Sequence, residues 1–311
     1  AQRYALFVRV AALPVSHKKC IALVAPAAGV NLSKDSRMVE LDKLLSDLGN
    51  GFTNKVVQRL RNFAFIPRPI IESLAEQALS ENWGNNFHAL EKYLAVHIAW
   101  SIEQGRVTFS EDQFYVSAGN LQTRYGTPLY LVFVENDDPS KSPWKLIKAG
   151  AHIRAPQLPV PPAIPAGPEI PKGVEIVMQH DHMLRDNDDR VDFLLQAPPV
   201  AQMCAISGAI QWSLNRGLQL PYWYYGAMNY IVPLYLRDRE NITNAPDLVA
   251  PIQVSEEMLM VRTVLEPHMP YANARVSVKR HDQLPPWMID TWNQHAGDLT
   301  ESDIDDPEGE S

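Results

Sequence analysis

Residues 87–136, FHALEKYLAVHIAWSIEQGRVTFSEDQFYVSAGNLQTRYGTPLYLVFVEN, decide the fold class. The segment up to Gly105 reads as one helix with glycine as its stop. Beyond it, RVTFS, QFYVSAG and LYLVFVEN are short β-rich runs separated by turn residues. A helix giving way to a hairpin and a third strand within fifty residues is the grammar of an α+β protein. With the helices before it, the segment has the outline of a winged helix, a shape that serves nucleic acid and protein partners alike.

Upstream, the apolar runs ALFVRVAAL and CIALVAP suggest a strand pair. Met38, Leu41, Leu44, Leu45 and Leu48 fall at helical spacing before the stop at Gly49 and Gly51. Val56, Val57, Leu60 and Phe63 predict a second short helix, and PIIESLAEQALSE a third. Downstream, residues 156–171, PQLPVPPAIPAGPEIP, hold seven prolines, which excludes regular helix and favours extended polyproline conformation. Leu158, Val160 and Ile164 would let this segment lie along a surface as a packed strap. The second half starts with the strand VEIVM and enters a helix from Val200 to Leu214 with Gly217 beyond its end. The β-rich runs YIVPLYL, LVAPIQV and MLMVRTVL follow, then two short elements, YANARVSVKR and PPWMIDTW. The simplest packing is an antiparallel sheet carrying a helix. The expected parts are an unassigned region 1–62, a helical part with a β-wing at 63–155, the connector 156–172, an α+β domain at 173–297 and a disordered acidic tail at 298–311.

The chain has 311 residues, 46% of them hydrophobic, enough for a real core. Its net charge of −8 is uneven, because the tail carries seven acidic and no basic residues and leaves 28 basic against 29 acidic groups elsewhere. A nearly neutral body neither requires nor excludes a polyanion partner. Cys20 and Cys204 sit far apart in apolar surroundings and read as reduced core thiols, which points to a cytoplasmic protein. No apolar run approaches the roughly 18 residues of a membrane span, so no membrane partner is expected. The start, AQRYALFVRV, has arginines where a signal peptide has none, and the missing initiator Met is what processing would leave.

Three stretches could carry chemistry. HDHMLRDNDDR, residues 180–190, sets His180 and His182 on one strand face at a spacing that lets two imidazoles share a divalent metal, but nothing specifies the remaining ligands. The run also lacks the glycine and closing glutamate of a calcium loop, so no cofactor is expected. Metal-free phosphodiester chemistry is open to it, with a histidine moving protons and Arg185 or Arg190 stabilising phosphorane charge, given a second proton carrier. A polar turn capped by Asp186 and Asn187 is the plainer reading. In GLQLPYWYYGAMNY, five aromatic residues read as core, or as a stacking surface if exposed. In HMPYANAR, Tyr271, Asn273 and Arg275 lie two apart; extended they share a face suited to a nucleotide, and helical they diverge. No nucleophile elbow, P-loop, dinucleotide fingerprint or zinc-protease helix occurs.

These stretches, with FAFIP, LAEQALSENWGNNFHALEKYL, TRYGTPLYLVFVEN, SPWKL and VRTVLEPHMPYANARV, resemble the mainly bacterial family known as domain of unknown function 3825, over about residues 65–287. The resemblance implies that His182, Asp186, Asn187 and Arg190 work together with Tyr271, Asn273 and Arg275. Because members are often joined to RNA-binding modules, it also implies a role in RNA metabolism. The expected function is RNA or nucleotide binding: Arg190 and Arg275 clamp phosphate, Tyr271 stacks a base, Asn187 and Asn273 position the ligand, and His182 with Asp186 serve any His-assisted phosphodiester cleavage or transfer. A protein-interaction role for the strap and tail is the alternative, and a small-molecule enzyme the third.

Overall fold

The computed structural model describes residues 56–299 except 111, 139–141, 180–182, 184–189, 191 and 225. The expected N-terminal strand pair, the helix around Met38–Leu48, most of HDHMLRDNDDR and nearly all of the acidic tail lie outside the described residues. Within them the chain is α+β, with six helices and two five-stranded sheets.

Helix α1 (Val56–Phe63) buries Val56, Val57, Leu60 and Phe63, the four positions whose spacing announced it. It leads through β1 (Ala64–Phe65) to α2 (Arg68–Gln77), which starts on Pro67 and ends four residues before the sequence pattern suggests. Past that end the Leu79 amide donates to the Gln122 carbonyl at 2.9 Å, an inter-element bond that a longer helix would lose. Helix α3 (His88–Glu103) is apolar nearly all round and accordingly central: every residue from His88 to Ile102 except Glu91 is buried.

The first sheet has the order β1-β5-β4-β3-β2, built from β2 (Val107–Ser110), β3 (Gln113–Gln122), β4 (Pro128–Glu135) and β5 (Trp144–Gly150). All pairs are antiparallel except β1 with β5. The hairpin that suggested a wing is thus part of a larger sheet. Phe114 and Phe133 are register partners whose rings stack at 4.6 Å, and Trp144 meets Phe114 edge-on at 4.7 Å. Each such ring contributes roughly 1.5–3 kcal/mol through burial.

The segment after β5 lies along the fold as a strap through Leu158 and Ile164, whereas Val160, expected to pack with them, is 63% exposed. The Gln104 carboxamide donates to the Ala163 carbonyl and accepts from its amide, both at 2.8 Å, and the Arg106 guanidinium donates to the Pro161 carbonyl. Leu158 packs on the outer cluster of Tyr115, Val132 and Ile153.

The second sheet has the order β6-β10-β9-β8-β7: β6 (Glu175–Met178), β7 (Leu220–Tyr224), β8 (Ala227–Leu234), β9 (Leu248–Val254) and β10 (Met258–Val261). Only β6 with β10 is parallel. Helix α4 (Pro199–Leu214) covers one face through Ile206, Ala209 and Ile210 against Val232, Ala250 and Ile252. Tyr222, Trp223 and Tyr224 are buried and belong to the core, Tyr230 is half-buried, and Tyr225 lies outside the described residues. Cys204 corrects an expectation: it lies exposed on α4, because the helix buries the Ile206 and Ile210 side and turns Cys204 outward.

Two short helices close the chain, α5 (Tyr271–Val276) and α6 (Pro286–His295). Both contribute to a hydrophobic cluster that also holds α1, α3 and the first sheet, so one core draws on chain from both sides of the proline-rich segment.

Candidate functional site

The motif YANAR forms α5, not a strand end. Alanines at 272 and 274 favour helix, and Pro270 stands at its N-terminal cap, where proline is tolerated. In a helix Tyr271 and Arg275, four residues apart, share one side, while Asn273 points elsewhere. All three are at most 2% exposed.

Arg275 is held in the interior by a carboxylate, a carbonyl and two aromatic rings. Its Nε donates to both carboxylate oxygens of Glu81, at 3.0 and 3.1 Å, and its Nη1 donates to the Val278 carbonyl at 3.0 Å. The guanidinium also lies 4.6 Å from the Tyr93 ring centroid and 5.6 Å from that of Trp83. Glu81 receives a second cation-capable group, His281 Nδ1, at 3.2 Å. Both side chains of the Glu81–Arg275 pair are 2% exposed, which makes it a buried ion pair. Tyr271 stacks flat on Trp292 at 4.6 Å, and Trp292 Nε1 donates to the Asn82 carbonyl at 2.7 Å. On the other side of α5, Asn273 Nδ2 donates to the Tyr222 hydroxyl at 3.0 Å. Burial and the charge of Glu81 push the Tyr271 phenol up.

Beneath this layer His97 stacks on Tyr93 at 4.1 Å, with its Nε2 3.1 Å from the Val276 carbonyl; that bond makes Nε2 the protonated nitrogen. Burial pulls its imidazole down to about 3, a drop opposed by the Val276 bond and reinforced by the Arg275 charge. Gly119, at φ +61°, permits this closeness, since a Cβ there would stand 2.7 Å from both the His97 ring and the Tyr93 hydroxyl.

A second cluster stands just before α5. His268 stacks on His295 with centroids 4.6 Å apart. Each imidazole turns Nδ1 to a carboxylate, Glu266 at 3.5 Å and Asp298 at 3.8 Å. Arg190, the last residue of HDHMLRDNDDR, donates from Nη1 to the Val264 carbonyl at 3.3 Å. Burial holds His268 below the usual histidine range, and the charges of His295 and Arg190 lower it further against the opposing pull of Glu266 and Asp298. The nearly buried His268 thus sits between the half-exposed His295 imidazole and the Arg190 guanidinium, with the Glu266 and Asp298 carboxylates facing the two rings.

Of the residues singled out from sequence, then, Tyr271, Asn273 and Arg275 lie inside the core, Arg190 lies by His268, and His180, His182, Asp186 and Asn187 lie outside the described residues. Glu81, Trp83, His97 and His295 were missed, because no local spacing ties them to the motifs they meet across the fold. Among the described residues no three His, Cys, Asp or Glu side chains are disposed to hold a metal ion. None of the described helices is long and apolar enough to cross a membrane. A family model described as Domain of unknown function (DUF3825) matches residues 74–284. No curated protein and no solved structure matches the chain.

Proposed function

The chain belongs to the DUF3825 family, and from that premise we propose that it binds a phosphate group of RNA or of a nucleotide at the surface formed by Arg190, His268 and His295. The observation that carries the reading is the stacked histidine pair beside Arg190. Two imidazoles and a guanidinium offer several N–H donors to a phosphate. Tyr271, Asn273 and Arg275 then serve by position: locked below, they hold the chain that presents His268. Recognition fits this geometry better than cleavage. In-line displacement needs an acid and a base on opposite sides of phosphorus, whereas stacked rings present their edges to the same side. Cleavage or transfer would use His182, oriented by Asp186, as the second proton carrier, with Asn187 on the phosphate.

The alternative, a protein-interaction role for the strap and tail, would use the strap as it lies, packed against Gln104 and Arg106. An exposed free thiol at Cys204 suits a reducing compartment, so the proposal includes a cytoplasmic location.

The test is calorimetric titration of the full chain with adenosine monophosphate, inorganic phosphate and short RNAs. Saturable binding that weakens at least tenfold in Arg190→Ala and in His268→Ala supports the reading. Binding untouched by both substitutions, or none at all in the parent, sinks it.

A further inference from the structure

The loop between β3 and β4, TRYGTP, carries the most exposed large apolar side chain among the described residues, Tyr125, at 80%. Such exposure usually marks a mobile tip, but this loop is tied down. Thr123 Oγ1 accepts from the amides of Tyr125 and Thr127, both at 3.2 Å; Gly126 N donates to the Thr123 carbonyl and Thr123 N to the Thr127 carbonyl, both at 2.9 Å. Gly126 takes φ +80°, a conformation that completes the turn at little cost only for glycine. The backbone that carries the ring is therefore fixed, and the Arg124 guanidinium lies 4.7 Å from the ring centroid.

Gln122, the residue next to this turn, lines a shallow dimple whose far wall is Lys279, Arg280 and His281. Glu81, the carboxylate in that dimple, is already engaged by Arg275 and His281. Arg280 is paired with Asp282 at 2.6 Å, whereas Arg124 and Lys279 are exposed and have no ion pair among the described residues. An exposed aromatic face on a braced turn, with cations nearby that lack carboxylate partners, suits a partner with flat rings and a phosphate chain, that is, single strands. An acidic peptide would use the cations and leave the ring idle. Duplex would hide its base faces from Tyr125.

We infer that the Arg124–Tyr125 tip and the Lys279–Arg280 edge form a landing surface for single-stranded RNA, with one base stacked on Tyr125 and the backbone crossing Arg124 and Lys279. The inference rests on the proposed phosphate reading and extends it from a single phosphate to a strand.

The test is fluorescence anisotropy of a labelled twelve-nucleotide uridine RNA with the full chain, over a range of salt. Tyr125→Ala should weaken binding about tenfold and Tyr125→Phe less than twofold, because the ring and not the hydroxyl stacks. Lys279→Glu should weaken binding and reduce the slope of log affinity against log salt by roughly 0.7, the share of one phosphate on a single strand. Unchanged affinity in Tyr125→Ala overturns the inference, as does equal binding of a duplex of the same length or competition by polyglutamate at equal charge. Adenosine monophosphate separates the two readings. If it binds through Arg190 while no RNA binds, only the landing surface fails; if neither binds, both fail.

Discussion

The two ends of HMPYANAR face opposite conditions. At one end Arg275 is enclosed by Glu81, Val278, Tyr93 and Trp83, and its Nε and Nη1 donors are met by the chain itself. At the other end His268 stacks on His295 near Arg190, with the Glu266 and Asp298 carboxylates facing the two rings and the outer members, His295 and Asp298, exposed. A charge enclosed with its partner works for the fold; a cluster whose outer members meet solvent is open to something from outside. The motif's most eye-catching residue, Arg275, thus belongs to the scaffold, while its plainer neighbour His268, itself nearly buried, leads through His295 to the surface.

The comparison breaks first at the ion pair. Removing one partner, as in Glu81→Ala or Arg275→Ala, strands a buried charge and should cost about 3–5 kcal/mol in urea unfolding. The double replacement Glu81→Leu with Arg275→Met should cost much less than the two single losses added together, because no orphaned charge remains. Additive losses would show that Arg275 is not held mainly by Glu81.

Next in size is Gly119→Ala, which forces a methyl group against His97 and Tyr93 in a left-handed conformation and should cost about 1–3 kcal/mol. A neutral result would mean that the Tyr93–His97 stack is loose, and with it the floor under Arg275.

The pH dependence separates the two histidine environments. His97 has a folded value of about 3, well below its unfolded one, so the unfolded chain binds the proton first. Stability from this group is complete above about pH 6.5 and falls by roughly 1.4 kcal/mol per pH unit as pH drops toward 3. Urea midpoints measured from pH 7 to 4 should show that slope, and His97→Gln should flatten it. At the surface the sign concerns binding. An anion raises the depressed His268, so phosphate affinity should rise as pH falls from 7 to 6, and His268→Gln should remove most of that dependence.

The smallest expected effect is the sharpest discriminator. Arg190→Ala should change stability by less than about 1 kcal/mol while weakening phosphate binding at least tenfold, since Arg190 donates only one long bond. A loss of several kcal/mol in urea unfolding would move this cluster into the scaffold alongside Arg275.

Periodicity made much of the fold readable. The apolar spacing of Val56, Val57, Leu60 and Phe63, the β-rich runs QFYVSAG and LYLVFVEN between turn residues, and the prolines of 156–171 each name an element that the structure contains, since burial and turn chemistry leave their mark in local sequence. The site was less legible. Whether Tyr271, Asn273 and Arg275 share a face turns on six residues being helix or strand, and a run that short is decided by what packs on it, here Trp292 and Glu81. Cys204 misled for a related reason: an apolar helix has two sides, and only the sheet beneath selects which one is covered.

By itself, the sequence determined the α+β class, the places where most described helices and strands lie, and the family, because these depend on local pattern and motif order. Tertiary structure alone decided that Glu81, 194 residues before Arg275, takes its charge, and that His268 meets His295. Partner choice for a buried charge is a matter of distance after folding, and no spacing along the chain encodes it.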